Sequence, residues 1–229
     1  LKVTGTTIPY SLENRDSMFT GIIEEIGVVA QLKKLTDGRE ITISTHEILS
    51  KLRVRDSVSI DGACLTVVRK DSQNITVQAV GETLNKTTLG QYTIGRKVNL
   101  ESSLTLQSPL GGHLVLGHVN GMAAIRSWEK RGENFYLEIT LTEDFLRYCI
   151  AEGSIAVDGI SLTIARLESA GIGISIIPYT VEHTTLKEKK TGDLVNIETD
   201  VIPRYLEKLL PQVNPGSLTI DKLKKWGYE

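Results

Sequence analysis

Asp61-Gly62-Ala63-Cys64-Leu65-Thr66 recurs 97 positions later as Asp158-Gly159-Ile160-Ser161-Leu162-Thr163. The same shift lays Thr87-Thr88-Leu89 on Thr184-Thr185-Leu186 and Val98-Asn99-Leu100-Glu101 on Val195-Asn196-Ile197-Glu198. Between positions 57 and 101, sixteen of 45 aligned pairs are identical without a gap, far more than chance pairing supplies. Further out, Gly21-Ile22-Ile23 matches Gly117-His118-Val119 at a shift of 96, so one residue is inserted between. Two long copies are too few for a solenoid and predict two similar small domains. Gln107-Ser108-Pro109-Leu110-Gly111-Gly112 punctuates the boundary, giving copies over 18–110 and 111–202.

Each copy reads as short strands. Ile41–Ile43, Val58–Ile60, Leu65–Val68 and Ile75–Val80 are β-branched and partly alternating, and the second copy repeats them at Phe135–Leu141, Ser154–Val157, Leu162–Ala165 and Ile172–Ile177. Asp61-Gly62 is a tight-turn dipeptide between two such runs. The spacing predicts an all-β chain of small antiparallel barrels. One short helix is expected per copy. The first runs to about Leu52, with Ser44 as cap and Glu47 reaching back; the second starts at Thr142 and runs through about Ile150. A last helix over 203–211 begins at Pro203 and stops at Pro211, with Leu206, Leu209 and Leu210 on one face. Packing on its own barrel and packing on symmetry mates are both open for it. Residues 1–17 read as an extension outside the fold, of expression or upstream origin, and 212–229 as a peripheral tail.

Composition narrows the partners. With 26 basic and 28 acidic residues the net charge is −2, which disfavours a nucleic-acid binder. No apolar run approaches the ~18 residues of a membrane span. Two cysteines, Cys64 and Cys149, are too few for a disulfide framework and suit a reducing, cytoplasmic compartment. A plastid is the alternative if residues 1–17 belong to a targeting segment. No His/Cys spacing advertises a metal site.

Where the copies agree, the residues serve the fold; where they differ in polarity, function has room to diverge. Cys64 aligns with Ser161, Ile22 with His118, and Gln78 with Ser175. Thr66 and Thr163 are shared hydroxyls that also suit a plain strand. Ser161 lacks a nucleophile elbow, and Cys64 reads equally as a small buried hydrophobe. His113 and His118 sit in a Gly-rich run where a base is possible. Asp200 ends a strand, and Cys149 reads as core. His46 and His183 read as surface.

The motifs then resemble a known family. Met18-Phe19-Thr20-Gly21-Ile22-Ile23-Glu24-Glu25-Ile26-Gly27, Asp61 to Val67, Gly111-Gly112-His113, Gly117-His118-Val119 and Val157 to Thr163 are similar, in order and duplication, to the riboflavin synthases of the α-chain type. The resemblance implies two tandem six-stranded barrels and a C-terminal helix that assembles a homotrimer. It also implies dismutation of two molecules of 6,7-dimethyl-8-ribityllumazine at a site between neighbouring subunits. No metal or redox cofactor is implied, and association with lumazine synthase is a possible extra. By resemblance, Ser161 and Thr163 with His118 form the second-barrel donor and acid/base set. Cys64 and Thr66 line the first-barrel pocket, Phe19 packs near the bound ring, and Asp200 orients hydroxyls. The pocket walls then come from Gly21, Ile22, Ile23, Leu65, Gln78, Ala79, Val80, Gly81, Glu82, Thr83, Gly117, Val119, Leu162, Ser175, Ile176, Ile177, Pro178, Tyr179 and Thr180. Glu152 stands where some members carry a ligand-contacting lysine, and Ala63 replaces a second cysteine. The rival reading is a lumazine protein, a fluorescent antenna on the same barrels. The intact Gly-Gly-His, Gly-His and Ile-Ser-Leu-Thr positions favour the enzyme. A non-enzymatic scaffold has no feature of its own in support.

Overall fold

The computed structural model describes residues 17–210 and residue 225; the expectations for positions 1–16, for Pro211 and for most of the tail lie outside the described residues. Twelve strands follow in order: β1 (Glu25–Leu35), β2 (Gly38–Ser44), β3 (Ser57–Ile60), β4 (Ala63–Lys70), β5 (Asn74–Ala79), β6 (Lys97–Ser102), β7 (Gly121–Arg131), β8 (Asn134–Thr140), β9 (Ser154–Val157), β10 (Ile160–Glu168), β11 (Gly171–Ile176) and β12 (Leu194–Thr199). They close two antiparallel barrels, β1-β2-β5-β4-β3-β6 and β7-β8-β11-β10-β9-β12, of identical order. Register shifts at Val29/Gln31, Val67/Arg69, Ile125/Ser127 and Ile164/Arg166 mark bulges at matching places in the two copies. Such bulges bend a strand enough for a small sheet to curl onto itself. Alternate side chains of each strand fill two separate cores, one around Ile41, Ile43, Val67 and Leu100, the other around Leu137, Ile139, Ile164 and Ile197.

The turn Asp61-Gly62 takes positive φ at both residues (45° and 84°), as does Asp158-Gly159 (45° and 78°). These are the paired left-handed conformations a two-residue hairpin needs, with Gly bearing the steeper one.

The helices differ from expectation. No helix reaches Leu52: the chain makes one 3₁₀ turn, Ile48–Ser50, and Glu47 supplies no cap. Glu25 takes the donors instead, accepting from the Thr45 hydroxyl at 2.6 Å and from the amides of His46, Glu47 and Ile48 at 2.6, 2.8 and 3.0 Å. Burial pushes its carboxyl upward, but these bonds prevail and hold it below its usual range. The second helix, α2 (Glu143–Leu146), ends four residues short of Ile150. Bonds from Tyr148 N to Phe145 O and Cys149 N to Leu146 O tighten the chain into 3₁₀ turns before it re-enters the sheet. Each copy also carries a further helix, α1 (Gly81–Lys86) and α3 (Pro178–Glu182), each followed by one 3₁₀ turn. Thr87 and Thr184 open those turns by accepting from Leu89 N and Leu186 N, so the repeated Thr-Thr-Leu triplet is a capping signal. The last helix, α4 (Val201–Leu209), starts two residues before Pro203, with Asp200 accepting from Ile202 N at 2.9 Å. Proline is tolerated there because first-turn amides have no intrahelical acceptor.

The barrels meet on residues the repeat keeps identical. A Cβ on Gly62 would lie 2.8 Å from Gly159 N, so the two Asp-Gly turns touch backbone to backbone. Asn99 Nδ2 donates to Asp158 O (2.9 Å) and Asn196 Nδ2 to Asp61 O (2.7 Å); each asparagine Oδ1 accepts from the other copy's threonine amide, Thr185 or Thr88, at 2.8 Å. Symmetry breaks at one pair. Tyr92 donates to Asp61 (2.6 Å), while its repeat mate Lys189 pairs with Asp158 (2.6 Å). Burial, reinforced by the Asp158 charge, pushes the Asp61 carboxyl up to about 7 against the pull of Lys189. Among the described residues no helix is long and apolar enough to cross a membrane.

Candidate functional site

Two short segments cross between the barrels, and they build the sites. Phe19 and Val115 pair as an antiparallel bridge, with amide-to-carbonyl bonds of 2.7 and 3.1 Å. From there the Thr20–Gly21 segment is held by Glu101 of the first barrel but packs onto the second: Ser161 N donates to Gly21 O at 2.8 Å. The Leu116–Gly117 segment is held by Glu198 of the second barrel and packs onto the first: Cys64 N donates to Gly117 O at 2.8 Å. Both glycines have positive φ, +76° and +74°. An added Cβ would sit 2.6 Å from Ser161 Cβ or 2.5 Å from Cys64 Cβ. No other residue fits such a junction.

This crossing produces two repeat-related half-sites. In the first, Cys64 and the Gly117–Val119 segment border a hollow of 260 Å³ with Glu82, Thr83 and Lys86 on the opposite wall. His118 is exposed at its mouth and also borders a second hollow of 440 Å³ with Tyr148 and Arg204. Burial pushes the Cys64 thiol up, so it is a neutral thiol rather than a thiolate at pH 7. In the second, Ser161 Oγ lies 2.7 Å from His113 Nδ1. Burial lowers the His113 pKa, with the Asp200 charge opposing, so the ring is a neutral acceptor or donor. Its buried Nε2 has no hydrogen-bond partner among the described residues. Ile22, Thr163, Ser175, Ile177 and Tyr179 are exposed, and Tyr179 stacks on His183 with ring centroids 3.9 Å apart.

The expected residues therefore separate. His118 belongs beside Cys64 in the first half-site, not with Ser161 and Thr163 in the second half-site of the same chain; the histidine on Ser161 is His113. The crossing of the two segments causes the exchange, and it leaves no trace in the linear order. Phe19 is fully buried under Cys64 with Val115 and Ala156, so it supports the pocket from beneath. Asp200 caps α4 and faces His113 electrostatically. Thr66 and Gln78 are exposed outward from β4 and β5. Leu65, Ala79, Leu162 and Ile176 are core side chains that bring only backbone to the site. Val80 and Ile177 are the N-caps of α1 and α3, and Gly81 to Thr83 and Pro178 to Thr180 form the first turns of those helices. Glu101 and Glu198, which hold the crossing segments, were signalled only as identical repeat positions. Among the described residues no group of three or more His, Cys, Asp and Glu is placed to hold a metal ion.

A family model, the lumazine binding domain, matches the chain twice, over residues 20–103 and 116–200. The riboflavin synthase of Actinobacillus pleuropneumoniae is 37% identical over 215 residues, covering 92% of this chain and all of that protein. That of Bacillus subtilis (strain 168) is 39% identical, covering 86% and 92%. Among solved structures, LumP complexed with riboflavin superposes with a TM-score of 0.73 at 26% identity, covering 79% of this chain and 98% of that one. The paired half-sites, the doubled domain match and the near full-length relatives converge: the chain belongs to the riboflavin synthase family of tandem lumazine-binding domains.

Proposed function

We propose that the protein is a riboflavin synthase: it takes two molecules of 6,7-dimethyl-8-ribityllumazine and moves a four-carbon unit from one to the other. The donor leaves as 5-amino-6-ribitylaminouracil, and the acceptor gains the four carbons that complete the third ring of riboflavin. Carbon and hydrogen balance across the two products, so no external oxidant enters.

The observation that carries this reading is the pair of repeat-related yet chemically different half-sites, one bordered by Cys64, Gly117 and His118, the other by Ser161, His113 and Ile22. Two copies of one molecule suit two versions of one pocket. Both half-sites are open at the rim, with His118 on one and Ile177 and Tyr179 on the other. Their closure falls to a neighbouring subunit, so that the first half-site of one chain faces the second half-site of the next, and His118 meets Ser161 there. A homotrimer assembled through α4 supplies that neighbour: Ile202, Tyr205, Leu206 and Leu209 are more than half exposed on it. Holding both reactants face to face removes up to ~7–11 kcal/mol of the barrier. Ser161, oriented by neutral His113, and Thr163 donate to the anion formed when the C7-methyl of the donor lumazine loses its proton. Two unpaired cysteines suit a cytoplasmic setting.

Mixing the protein with 6,7-dimethyl-8-ribityllumazine and following riboflavin by absorbance tests this directly. Riboflavin must appear, and Ser161→Ala must slow it by at least about tenfold. A specific alternative comes from the fold match to LumP bound to the lumazine: tight binding without product makes the protein an antenna.

A further inference from the structure

Glu198 and its repeat mate Glu101 are both buried carboxylates, 4% and 3% exposed, on equivalent strands β12 and β6. Each grips a crossing segment that serves the opposite barrel, but not equally well. Glu101 accepts the Thr20 amide at 2.6 Å, the Thr20 hydroxyl at 2.7 Å and the Gly21 amide at 3.0 Å. In the other copy Leu116 stands where Thr20 does, so the hydroxyl is missing. Glu198 Oε1 accepts the Leu116 amide at 2.8 Å, while its Oε2 is buried without a hydrogen-bond partner among the described residues. The amides of Gly117 and His118 lie close enough to favour its charge; the other charged or titratable groups facing it are Arg204 from α4 and Cys64 from β4.

We propose that Glu198 is the positioning residue of the first half-site: its carboxylate gathers the Leu116–His118 amides and sets His118 over Cys64, and the segment loosens when that charge is lost. The proposal rests on the functional reading for its effect on turnover, but not for its effect on the segment. A carboxylate with one oxygen unpartnered in a buried site is disfavoured by burial. Burial raises the Glu198 carboxyl to about 7, with the three amides and Arg204 opposing. A raised folded pKa means that stability from this group is present at low pH and is lost as pH rises through about 7. The charged form that orders the segment is therefore the one the fold tolerates less well.

The test compares wild type, Glu198→Gln and Leu116→Thr by amide exchange at pH 8 and by kcat across a pH series. For E198Q, amide hydrogen exchange over 115–119 accelerates at least about tenfold and kcat falls by a similar factor, while Tm holds or rises. Leu116→Thr restores the hydroxyl present at Thr20, favours the charged form and moves the acid limb of the kcat profile to lower pH. Unchanged exchange over 115–119 in E198Q, a kcat loss that merely follows a lowered Tm, or an acid limb unmoved in L116T overturns the proposal. If wild type makes no riboflavin, the exchange measurement still decides the role of Glu198, and only the functional reading falls.

Discussion

The crossing segments stand on two glycines, and Gly117→Ala measures what that geometry is worth. The substitution forces a side chain into the left-handed region at φ +74°, about 1–2 kcal/mol. Its Cβ also meets three atoms that have nowhere to go: Cys64 Cβ at 2.5 Å, Cys64 N at 2.9 Å and the ring of fully buried Phe19 at 2.9 Å. Overpacking of that kind adds about 1–3 kcal/mol. Gly132 is the internal control, since it has φ +64° and nothing within 4 Å of the added Cβ, so Gly132→Ala reports backbone strain alone. Thermal unfolding of the two variants side by side should place G117A about 2–5 kcal/mol below wild type and G132A about 1–2 kcal/mol below. At ~2–4 °C per kcal/mol for a chain near this size, the difference between them is several degrees. Riboflavin formation, measured below the melting temperature of both, should fall only in G117A, because its segment carries His118. Equal melting temperatures for the two alanine variants would refute the claim that the segment is pressed onto Cys64 and would take the half-site geometry with it.

Asn196→Ala leaves the buried Thr88 N–H and Asp61 C=O without partners across the barrel junction, and denaturant unfolding should show a loss of about 2–4 kcal/mol; a loss under 1 kcal/mol would mean the junction is wet. Asp61→Asn tests the raised carboxyl at the same junction. Because its folded pKa of about 7 lies above the ordinary 3.8, the wild-type contribution is full in acid and declines as pH climbs through 7. D61N should therefore flatten the fall of Tm between pH 5 and pH 8.5 measured by calorimetry, and an unchanged slope would contradict the assignment. Leu206→Glu with Leu209→Glu places two charges on the exposed face of α4. If the proposed trimer forms through this face, sedimentation should show trimers for wild type and monomers for the variant, with turnover lost and the barrel circular dichroism kept.

The chain's repeat determined the fold by itself. Sixteen shared identities over 45 positions predict two like domains, and the alternating β-branched runs predict their strands because side-chain period two is a local property of extended backbone. The helices were harder to read: Glu25, twenty residues upstream of Thr45, supplies the donors' partner that Ser44 and Glu47 were expected to provide, and no local pattern encodes a bond of that span. The identities Asp61/Asp158, Asn99/Asn196 and Glu101/Glu198 were legible as positions serving the fold, which the barrel junction and segment anchors confirm. What only the tertiary structure decided is which histidine serves which pocket. His118 follows the second barrel's numbering yet lies on the first, and His113 takes Ser161, because two segments trade places about an axis between the barrels. A sequence orders residues along a line; an exchange between two similar surfaces changes no local propensity and no hydrophobic period, so it is settled only when both barrels are folded and backbone meets backbone at Gly21 and Gly117.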